Sequence, residues 1–214
     1  MSTLNRFNRL APYYDTLKRL AFGRSIGDSE VHFLNRLPGN GCILILGGGS
    51  GDLLVNLFRV HPHCSVWYVE ASSKMMSLAR EKLPVVNRSQ VTFIHGTEKT
   101  IPPGIAFDGV ITNFFLDLFP DGEVLSICQA VGKQLKSEGV WLIADFVDEK
   151  WWQRLLLAVM YPFFVLTCRI QTRRLPRWRD QLTSAGFVHR SSKGFFSGFI
   201  KASIYQKAAA STRV

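Results

Sequence analysis

The chain has 214 residues, of which 47% are hydrophobic and 20% are charged. That length suits one compact domain with a hydrophobic core, and that composition excludes a generally disordered protein. The net charge of +10 is unevenly distributed: residues 150–214 carry 12 Lys and Arg residues against one acidic residue, Asp180. This basic block indicates an anionic surface or substrate near the last third of the chain, unless it is only a solvated face.

The cysteines and the N-terminus together predict a cytoplasmic protein. The four cysteines are scattered and form no C-x-x-C pair, so we interpret them as buried thiols in a reducing compartment. Residues 61–64, His-Pro-His-Cys, have metal-binding residue types but no companion pair, so no metal site is predicted. The first residues lack the charged and apolar regions that predict a signal peptide.

Two helices are predicted before the first strand. Apolar residues recur at roughly helical spacing over residues 4–22, with an interruption at Pro12. A second, shorter helix is predicted from about Ile26 to Leu37, before the turn residues Pro38-Gly39-Asn40-Gly41. Residues 1–38 therefore predict an N-terminal helical cap.

A glycine-rich turn between a buried strand and a helix follows. Residues 42–46 are apolar, residues 47–51 are Gly-Gly-Gly-Ser-Gly, and residues 53–58 have helical character. Glycine is needed where φ is positive or where a ligand approaches the backbone closely, and the helix start suits a carboxylate or phosphate. Asp52 stands where a dinucleotide fingerprint has its third glycine, and the Gly-Lys-Ser/Thr of a P-loop is absent. A turn without a ligand stays an alternative.

The spacing Gly47-x-Gly49-x-Gly51 resembles the first motif of class I methyltransferases that use S-adenosylmethionine. The resemblance implies that Gly47, Gly48, Gly49 and Gly51 hold the methionine part of this cofactor. Members of that family usually carry an acidic residue two positions before the first glycine, where this chain has Ile45. Polar support for the turn must therefore come from elsewhere or be weaker.

The segment Phe7-Asn8-Arg9-Leu10-Ala11-Pro12-Tyr13-Tyr14-Asp15 resembles the F-x-x-x-A-x-x-Y-D opening of small-molecule methyltransferases related to the quinone-ring C-methylating enzymes. In such relatives this segment folds over the cofactor. The resemblance implies that Tyr14 contacts the cofactor, and it makes Tyr14 a candidate catalytic residue. An amphipathic helix packed on the sheet is the alternative.

An acidic residue, Glu70, ends the second predicted strand, residues 65–70. A carboxylate at this distance from the glycines can accept hydrogen bonds from both ribose hydroxyls, or it can simply cap the next helix. Residues 70–76 are similar to the family's D-x-S-x-x-M-L, with Glu70 in place of Asp. The resemblance implies that Glu70, Ala71 and Met75 contact the cofactor.

The third and fourth predicted strands, residues 91–94 and 109–113, lead to further binding candidates. Residues 96–102 are similar to the family's G-D-A-E-x-L-P, with Thr97 in place of Asp. That similarity implies that Gly96, Thr97 and Glu98 lie beside the adenine. Ligands of open α/β sheets lie beyond the carboxyl ends of the strands, so Asn113 and Phe114 are expected to border the methyl-donor pocket. Phe115 and Phe119 are interpreted as core residues.

A helix over residues 121–136 and a fifth strand ending at Asp145 are predicted next. Residues 135–146 are similar to the L-K-P-G-G-x-L-x-I-x-D-F turn and strand of the family. Asp145 can orient a substrate, accept a proton, or only bond to the next turn. A phenol or ring carbon needs proton removal, and the candidate residues are Tyr14, Asp117 and Asp145. Among the histidines, only His95 is singled out for testing.

Residues 151–169 are apolar nearly throughout, but Arg154 and Pro162 argue against a membrane span. The domain core, a substrate cavity or a membrane interface must cover such a helix. In the resembling family an insertion here commonly forms a lid over the acceptor site. We therefore predict a lid over residues 150–180, a lipophilic acceptor, and peripheral membrane contact through residues 151–179. An internal packing helix is the alternative, and nucleic acid is disfavoured because the basic residues adjoin an apolar run.

The sequence thus predicts a single α/β domain over residues 1–214. Its expected architecture is a doubly wound, seven-stranded, mostly parallel sheet of the Rossmann-like methyltransferase type. The cofactor-binding core spans residues 41–147. After the lid, a helix over residues 176–185 precedes a C-terminal hairpin assigned to residues 181–207.

The predicted function is S-adenosylmethionine-dependent methyl transfer to a small acceptor, with O-, N- or C-methylation left open. Two alternatives remain. An NAD(P)-dependent oxidoreductase is disfavoured by Asp52 and by the lack of a Tyr-x-x-x-Lys pair. A membrane-surface binding protein that has this fold without turnover is kept open by Ile45 and Thr97.

Overall fold

A computed structural model describes residues 22–168 and 174–208, with side chains in the long apolar helix described as far as Met160. Seven strands form one sheet in the order β3-β2-β1-β4-β5-β7-β6. The strands are β1 (Cys42–Leu46), β2 (Ser65–Glu70), β3 (Val91–His95), β4 (Phe107–Asn113), β5 (Leu135–Phe146), β6 (Phe187–Phe195) and β7 (Ile200–Lys207). Strand β7 runs antiparallel to both of its neighbours, whereas β1 to β5 pair in parallel. The predicted sheet is confirmed.

The described ranges contain six α-helices, of which the first precedes β1 and the other five lie between strands. They are α1 (Ser25–Val31), α2 (Asp52–Val60), α3 (Ser73–Lys82), α4 (Asp121–Gln134), α5 (Trp151–Cys168) and α6 (Trp178–Ser184). Short 3-10 turns cover Leu34–Arg36, Val85–Gln90, Glu98–Thr100, Leu116–Leu118 and Phe196–Gly198. The crossovers after β1 to β4 leave the carboxyl ends of the parallel strands β1 to β5 on one edge of the sheet, where such folds bind ligands.

Strand β1 shows how the sheet divides the core. Its residues alternate between faces, as a strand requires. Leu44 and Leu46 lie in a cluster with α4 and α6, whereas Ile43 and Ile45 lie in a cluster with α2 and α3. Both sets are buried because helices cover both faces, which explains the continuous apolar run.

A third, mostly aromatic cluster lies apart from these two. It joins the start of α1, the end of β5, the inner face of α5 and the start of β7. Its buried members are Phe22, Ile26, Phe146, Leu157, Phe199 and Ile200, with Phe114, Leu118, Trp152, Leu156, Met160, Leu175 and Phe195 partly buried against them. We call these residues the aromatic cluster.

Several predicted boundaries differ from the structure. The helix predicted from Ile26 to Leu37 ends at Val31, and a 3-10 turn follows it. The hairpin assigned to residues 181–207 begins at Phe187, and its strand β6 has an exposed, polar middle that pairing with β7 stabilises. Residues 1–21, 169–173 and 209–214 lie outside the described residues, and the division into cap, core, lid and hairpin stays a prediction.

An ion-paired group fixes the segment before α5. Glu149 Oε1 lies 2.6 Å from Arg179 Nη1 and 2.7 Å from Lys201 Nζ. These hydrogen bonds lower the pKa of Glu149. The group joins the start of α5 to α6 and β7.

Candidate active site

The turn after β1 combines an open backbone with tight packing. Gly49 has a φ of +65°, and no protein atom lies within 4 Å of the position that a Cβ would occupy. Gly51, the N-cap of α2, has a φ of +92°, and a Cβ there would lie 2.6 Å from Ala79 Cα. The turn therefore needs glycine for two reasons: close packing against α3 at Gly51, and accessible main chain at Gly49.

The polar support that Ile45 does not supply comes from β2. Tyr68 Oη donates to the Gly49 carbonyl oxygen at 2.8 Å, and Gly49 N donates to Glu70 Oε2 at 2.9 Å. Both peptide groups flanking this glycine are thus held by side chains of one strand. Ile45 itself is buried in the core. The family's acidic position is therefore used here for packing.

Glu70 also reaches the start of α3. Its Oε1 accepts from Ser72 N at 2.7 Å, while Ser72 Oγ accepts from Met75 N at 3.2 Å and caps the helix. The two interpretations of Glu70, ribose binding and helix capping, are therefore not exclusive. A carboxylate has about four lone-pair sites, and backbone N–H groups occupy one on each oxygen, so acceptor capacity remains for ribose hydroxyls.

Burial raises the pKa of Glu70 above its ordinary value, and the hydrogen bonds from Ser72 and Gly49 oppose that rise. The carboxylate is thus a pre-positioned, largely desolvated acceptor. Together with the open main chain at Gly49, it fits a nucleoside that carries ribose hydroxyls next to an amino-acid tail. The residues present therefore fit S-adenosylmethionine.

The candidates for the adenine side surround the end of β3. Gly96 N donates to the Glu70 carbonyl oxygen at 3.0 Å, and His95 Nε2 lies 2.9 Å from the Ala71 carbonyl oxygen. Thr97 caps the 3-10 turn that contains Glu98. Met75 is buried in the first turn of α3. The structure thus brings these residues to the strand ends beside the glycine turn.

The end of β4 has an uncommon backbone. Phe114 has a φ of +49°, which is unfavourable for a residue with a side chain. Its N–H donates to the Ala144 carbonyl oxygen at 2.7 Å, and its ring packs 5.1 Å from that of Phe146. The neighbouring Asn113 accepts from Ala144 N at 3.0 Å through Oδ1. Asn113 therefore ties β4 to β5, and Phe114 turns toward the aromatic cluster.

Asp117 and Asp145 meet at the ends of β4 and β5. Asp145 is fully buried, and its Oδ2 accepts from Asp117 N at 3.3 Å while its Oδ1 accepts from Phe146 N at 2.8 Å. Burial raises the pKa of Asp117 to about 7. Burial and the Asp117 charge raise the pKa of Asp145 well above its usual range. Burial and mutual repulsion therefore both favour the protonated form of this pair.

Sequence reasoning missed two polar residues of this region. Tyr68 is one, although a tyrosine two positions before Glu70 in a buried strand signals a hydroxyl that needs a partner. Gln153 is the other: it is buried on α5, and its Nε2 has no hydrogen-bond partner among the described residues. Asp117 Oδ1 is likewise buried without a partner there. The predicted contact of Tyr14 lies outside the described residues.

Two further observations concern metals and membranes. Within residues 22–168 and 174–208, no group of three or more His, Cys, Asp or Glu side chains is placed to hold a metal ion. His61 Nε2 instead lies 2.7 Å from the Leu34 carbonyl oxygen. In the same part of the chain, no helix combines the length and hydropathy of a membrane span.

Comparison with known proteins identifies the domain. Residues 43–139 match the sequence profile of a family described as a methyltransferase domain. The SAH-bound structure of CalO1, a methyltransferase in calicheamicin biosynthesis, is similar at 17% identity and a TM-score of 0.66, covering 92% of this chain and 56% of its own. An O-methyltransferase family protein from Burkholderia thailandensis is similar at 18% identity and a TM-score of 0.71, covering 98% and 64%.

A structure of the Haloferax volcanii Trm112 methyltransferase activator in complex with a methyltransferase is similar at 14% identity and a TM-score of 0.74, covering 96% of this chain and 99% of the matched one. The chain thus spans little more than half of CalO1 and about the full length of this shorter relative. The family predicted from the motifs is confirmed at the level of the domain, while the quinone-related subfamily stays a prediction. Residues 43–139 thus match a methyltransferase domain, and the chain has the fold of the methyltransferase structures to which it is similar.

Proposed function

We propose that this chain transfers the sulfonium methyl group of S-adenosylmethionine to a small, apolar acceptor. One observation carries the proposal: the open main chain at Gly49 is held by Tyr68 and by a buried carboxylate, Glu70, at the carboxyl ends of the strands. The methyltransferase domain match over residues 43–139 supports the reaction class.

In this proposal the glycine turn and Glu70 fix the donor. S-adenosylmethionine supplies an electrophilic methyl group. The turn presents main-chain groups to the methionine part, and Glu70 accepts from the ribose hydroxyls. Methyl transfer needs an in-line nucleophile and exclusion of water more than it needs an acid or a base. The main task of this chain is therefore positioning.

The aromatic cluster supports an apolar acceptor. Phe22, Phe146 and Phe199 are buried against one another, with ring centroids 4.9–6.2 Å apart. Phe114 connects this cluster directly to the end of β4. Binding pockets of this kind are lined by apolar and aromatic side chains with a few polar groups. An aromatic or alicyclic acceptor would replace some of these ring contacts without burying an unpaired charge.

The carboxyl pair is the proposed proton acceptor for a phenol or ring carbon. Asp117 Oδ1 is buried without a partner among the described residues, and burial raises the pKa of Asp117 to about 7. A base is most effective when its pKa lies near the working pH. Asp145, which accepts two backbone N–H groups, serves to hold the turn that carries Asp117. Tyr14 stays a second candidate from the sequence.

We further propose that the chain works in the cytoplasm in peripheral contact with a membrane through residues 151–179. A lipophilic acceptor dissolves in the bilayer, so an enzyme on the membrane surface meets it at high local concentration. The excess of 12 Lys and Arg residues over one acidic residue in residues 150–214 supports contact with an anionic surface.

Two experiments test the reaction. Calorimetric titration with S-adenosylmethionine and with NADH separates the methyltransferase from an oxidoreductase, and binding of NADH alone would overturn the proposal. Lipid extracts incubated with the chain and S-adenosylmethionine, and analysed by mass spectrometry, should contain a species heavier by about 14 Da per added methyl group. The matched control is the Glu70→Ala chain, for which no such species is expected.

A further inference from the structure

Over residues 151–160, where its side chains are described, helix α5 has one apolar face packed against other described residues and another that is exposed. Its inner residues Trp152, Leu156 and Leu157 pack in the aromatic cluster. On the outer face, Trp151 is 76% exposed, Leu155 61% and Val159 68%. These three residues are spaced four apart, so they form one stripe along the helix. We call Trp151, Leu155 and Val159 the outer stripe.

The outer stripe is unusual for a soluble surface. Single exposed apolar residues need no explanation, but an aligned set on a helix whose other face is already buried indicates a binding surface. The helix carries one charged residue, Arg154, and its remaining sequence over residues 161–168 contains none. A helix that is apolar on two sides needs a second cover.

The charge around the outer stripe indicates which partner covers it: a second copy of this chain, a nucleic acid or a lipid bilayer. Lys150 and Arg154 are exposed at the start of α5, and residues 150–214 contain one acidic residue, Asp180. Two acidic residues, Asp148 and Glu149, precede α5. Against them stand four basic residues, Lys150, Arg154, Arg179 and Lys201, of which the last two are ion-paired with Glu149. A second copy of this chain would bring a like-charged surface, and a nucleic acid would offer no apolar partner for the stripe. An anionic bilayer offers both an acyl region and negative headgroups.

We propose that the outer stripe of α5 inserts into the headgroup boundary of an anionic lipid bilayer, with Lys150 and Arg154 at the phosphate level. The helix then lies along the bilayer surface, since no described helix is suited to span it. Tryptophan at one end of such a helix is the residue that membrane interfaces favour. This inference rests on the membrane contact of residues 151–179 in the proposed function, and it names the residues that make the contact and the lipid that they meet.

The placement also gives α5 a role in acceptor entry. Its outer face contacts lipid, and its inner face contributes Leu157 to the aromatic cluster beside Phe146 and Phe199. One helix thus separates the bilayer from the region proposed to hold the acceptor. A lipophilic molecule that passes around α5 would move between two apolar environments without crossing bulk water.

Vesicle binding of the full chain tests the proposal. The probes are vesicles of phosphatidylcholine alone and vesicles of about 70% phosphatidylcholine with 30% phosphatidylglycerol, in low and high salt. We expect binding to the anionic vesicles, weakened by salt and by removal of phosphatidylglycerol. The variant Leu155→Glu/Val159→Glu should lose about tenfold or more of its partitioning, because each buried charge opposes insertion.

The chain offers a matched control in Val85 and Val86, which are 75% and 79% exposed at a different site. Val85→Glu/Val86→Glu changes the net charge equally and should reduce anionic-vesicle binding by less than about twofold. Equal losses in the two variants, or no binding by the wild type, would overturn the proposal. A self-association that the α5 variant abolishes, without vesicle binding, would overturn it in favour of a second copy.

Calorimetric titration with S-adenosylmethionine separates a failure of the membrane proposal from a failure of the proposed methyl transfer. Both double variants should retain the wild-type affinity, because the outer stripe does not contact the glycine turn. If the α5 double variant fails to fold, Trp151→Ala tests the same surface by truncating one exposed side chain. A Trp151→Ala chain that binds anionic vesicles as tightly as the wild type would then overturn the proposal.

Discussion

The two halves of the proposed site are built in different ways. On the donor side, Tyr68, Glu70 and Ser72 hold the glycine turn and the start of α3 through short hydrogen bonds. On the acceptor side, the aromatic cluster packs rings from Phe22 just before α1, from the end of β5, from α5 and from the β6–β7 hairpin. Hydrogen bonds fix atoms at defined positions, whereas ring packing fixes a volume. The donor side can therefore recognise one cofactor, and the acceptor side can change its substrate by changing its rings.

The largest expected effect is on the donor side. Gly51→Ala should lower the free energy of unfolding by about 3 kcal/mol or more, because the new Cβ would lie 2.6 Å from Ala79 Cα and φ is +92°. The matched control is Gly104→Ala, where φ is +86° but no atom lies within 4 Å. That control should cost about 1 kcal/mol. Equal losses in urea denaturation would show that the contact with α3 contributes nothing.

The next effect tests whether Glu70 recognises the cofactor. Glu70→Ala should weaken S-adenosylmethionine binding by about 100-fold, because it removes the ribose acceptor and the bond to Gly49 N. Calorimetry measures this, with the exposed Glu123→Ala as control. Because burial raises the pKa of Glu70, wild-type affinity should begin to fall during acidification at a higher pH than an ordinary glutamate would allow. Unchanged affinity in Glu70→Ala would place the cofactor elsewhere.

The acceptor side has its own pH signature. The fold raises the pKa of Asp117 from 3.8 to about 7, so it favours the protonated form, and the stability this provides at low pH is lost as pH rises through that interval. Asp117→Asn cannot ionise. Its free energy of unfolding relative to wild type should therefore be higher at pH 8 than at pH 5 by about 2 kcal/mol.

Thermal unfolding at the two pH values checks this expectation. The variant Asp28→Asn, at an exposed position, is measured at both pH values as the control. A difference between Asp117→Asn and wild type that is independent of pH would contradict the mutual burial of Asp117 and Asp145.

The smallest effect concerns the hydroxyl of Tyr68. Tyr68→Phe removes the bond to the Gly49 carbonyl oxygen and keeps the ring that packs against Phe93. One such bond contributes about 1 kcal/mol, so cofactor affinity should fall by about fivefold. A loss of cofactor affinity as large as that of Glu70→Ala would mean that the glycine turn does not keep its conformation without the Tyr68 hydroxyl. Tyr68 and Glu70 would then not contribute independently to cofactor binding.

The sequence predicted the glycine turn and the strand end at Glu70 correctly because both are local features, while their contact with the cofactor stays a prediction. Gly51 and Glu70 stand at chain positions where a turn and a strand end dictate their residue types. The role of Tyr68 was missed because its partner lies 19 residues away and no motif marks it. The use of Ile45 for packing shows why a missing motif residue did not remove the site.

The acceptor side was less accessible to sequence reasoning. The aromatic cluster assembles residues from Phe22 to Ile200, which only the sheet order brings together. The contact of Asp117 with Asp145 depends on how the turn after β4 folds back on β5. Spacing predicted both carboxylates as candidates, but it could not predict that they share one buried environment.

The backbone conformation of Phe114 links the aromatic cluster on the acceptor side to the end of β4 beside the donor side. A residue with a side chain holds a φ of +49° only while its surroundings compensate, here through the Ala144 carbonyl oxygen and the ring of Phe146. A guest molecule that displaces the Phe146 ring would remove one of those supports. The peptide unit at the end of β4 would then relax toward a commoner conformation, so binding of a molecule within the aromatic cluster would change the backbone next to Asn113.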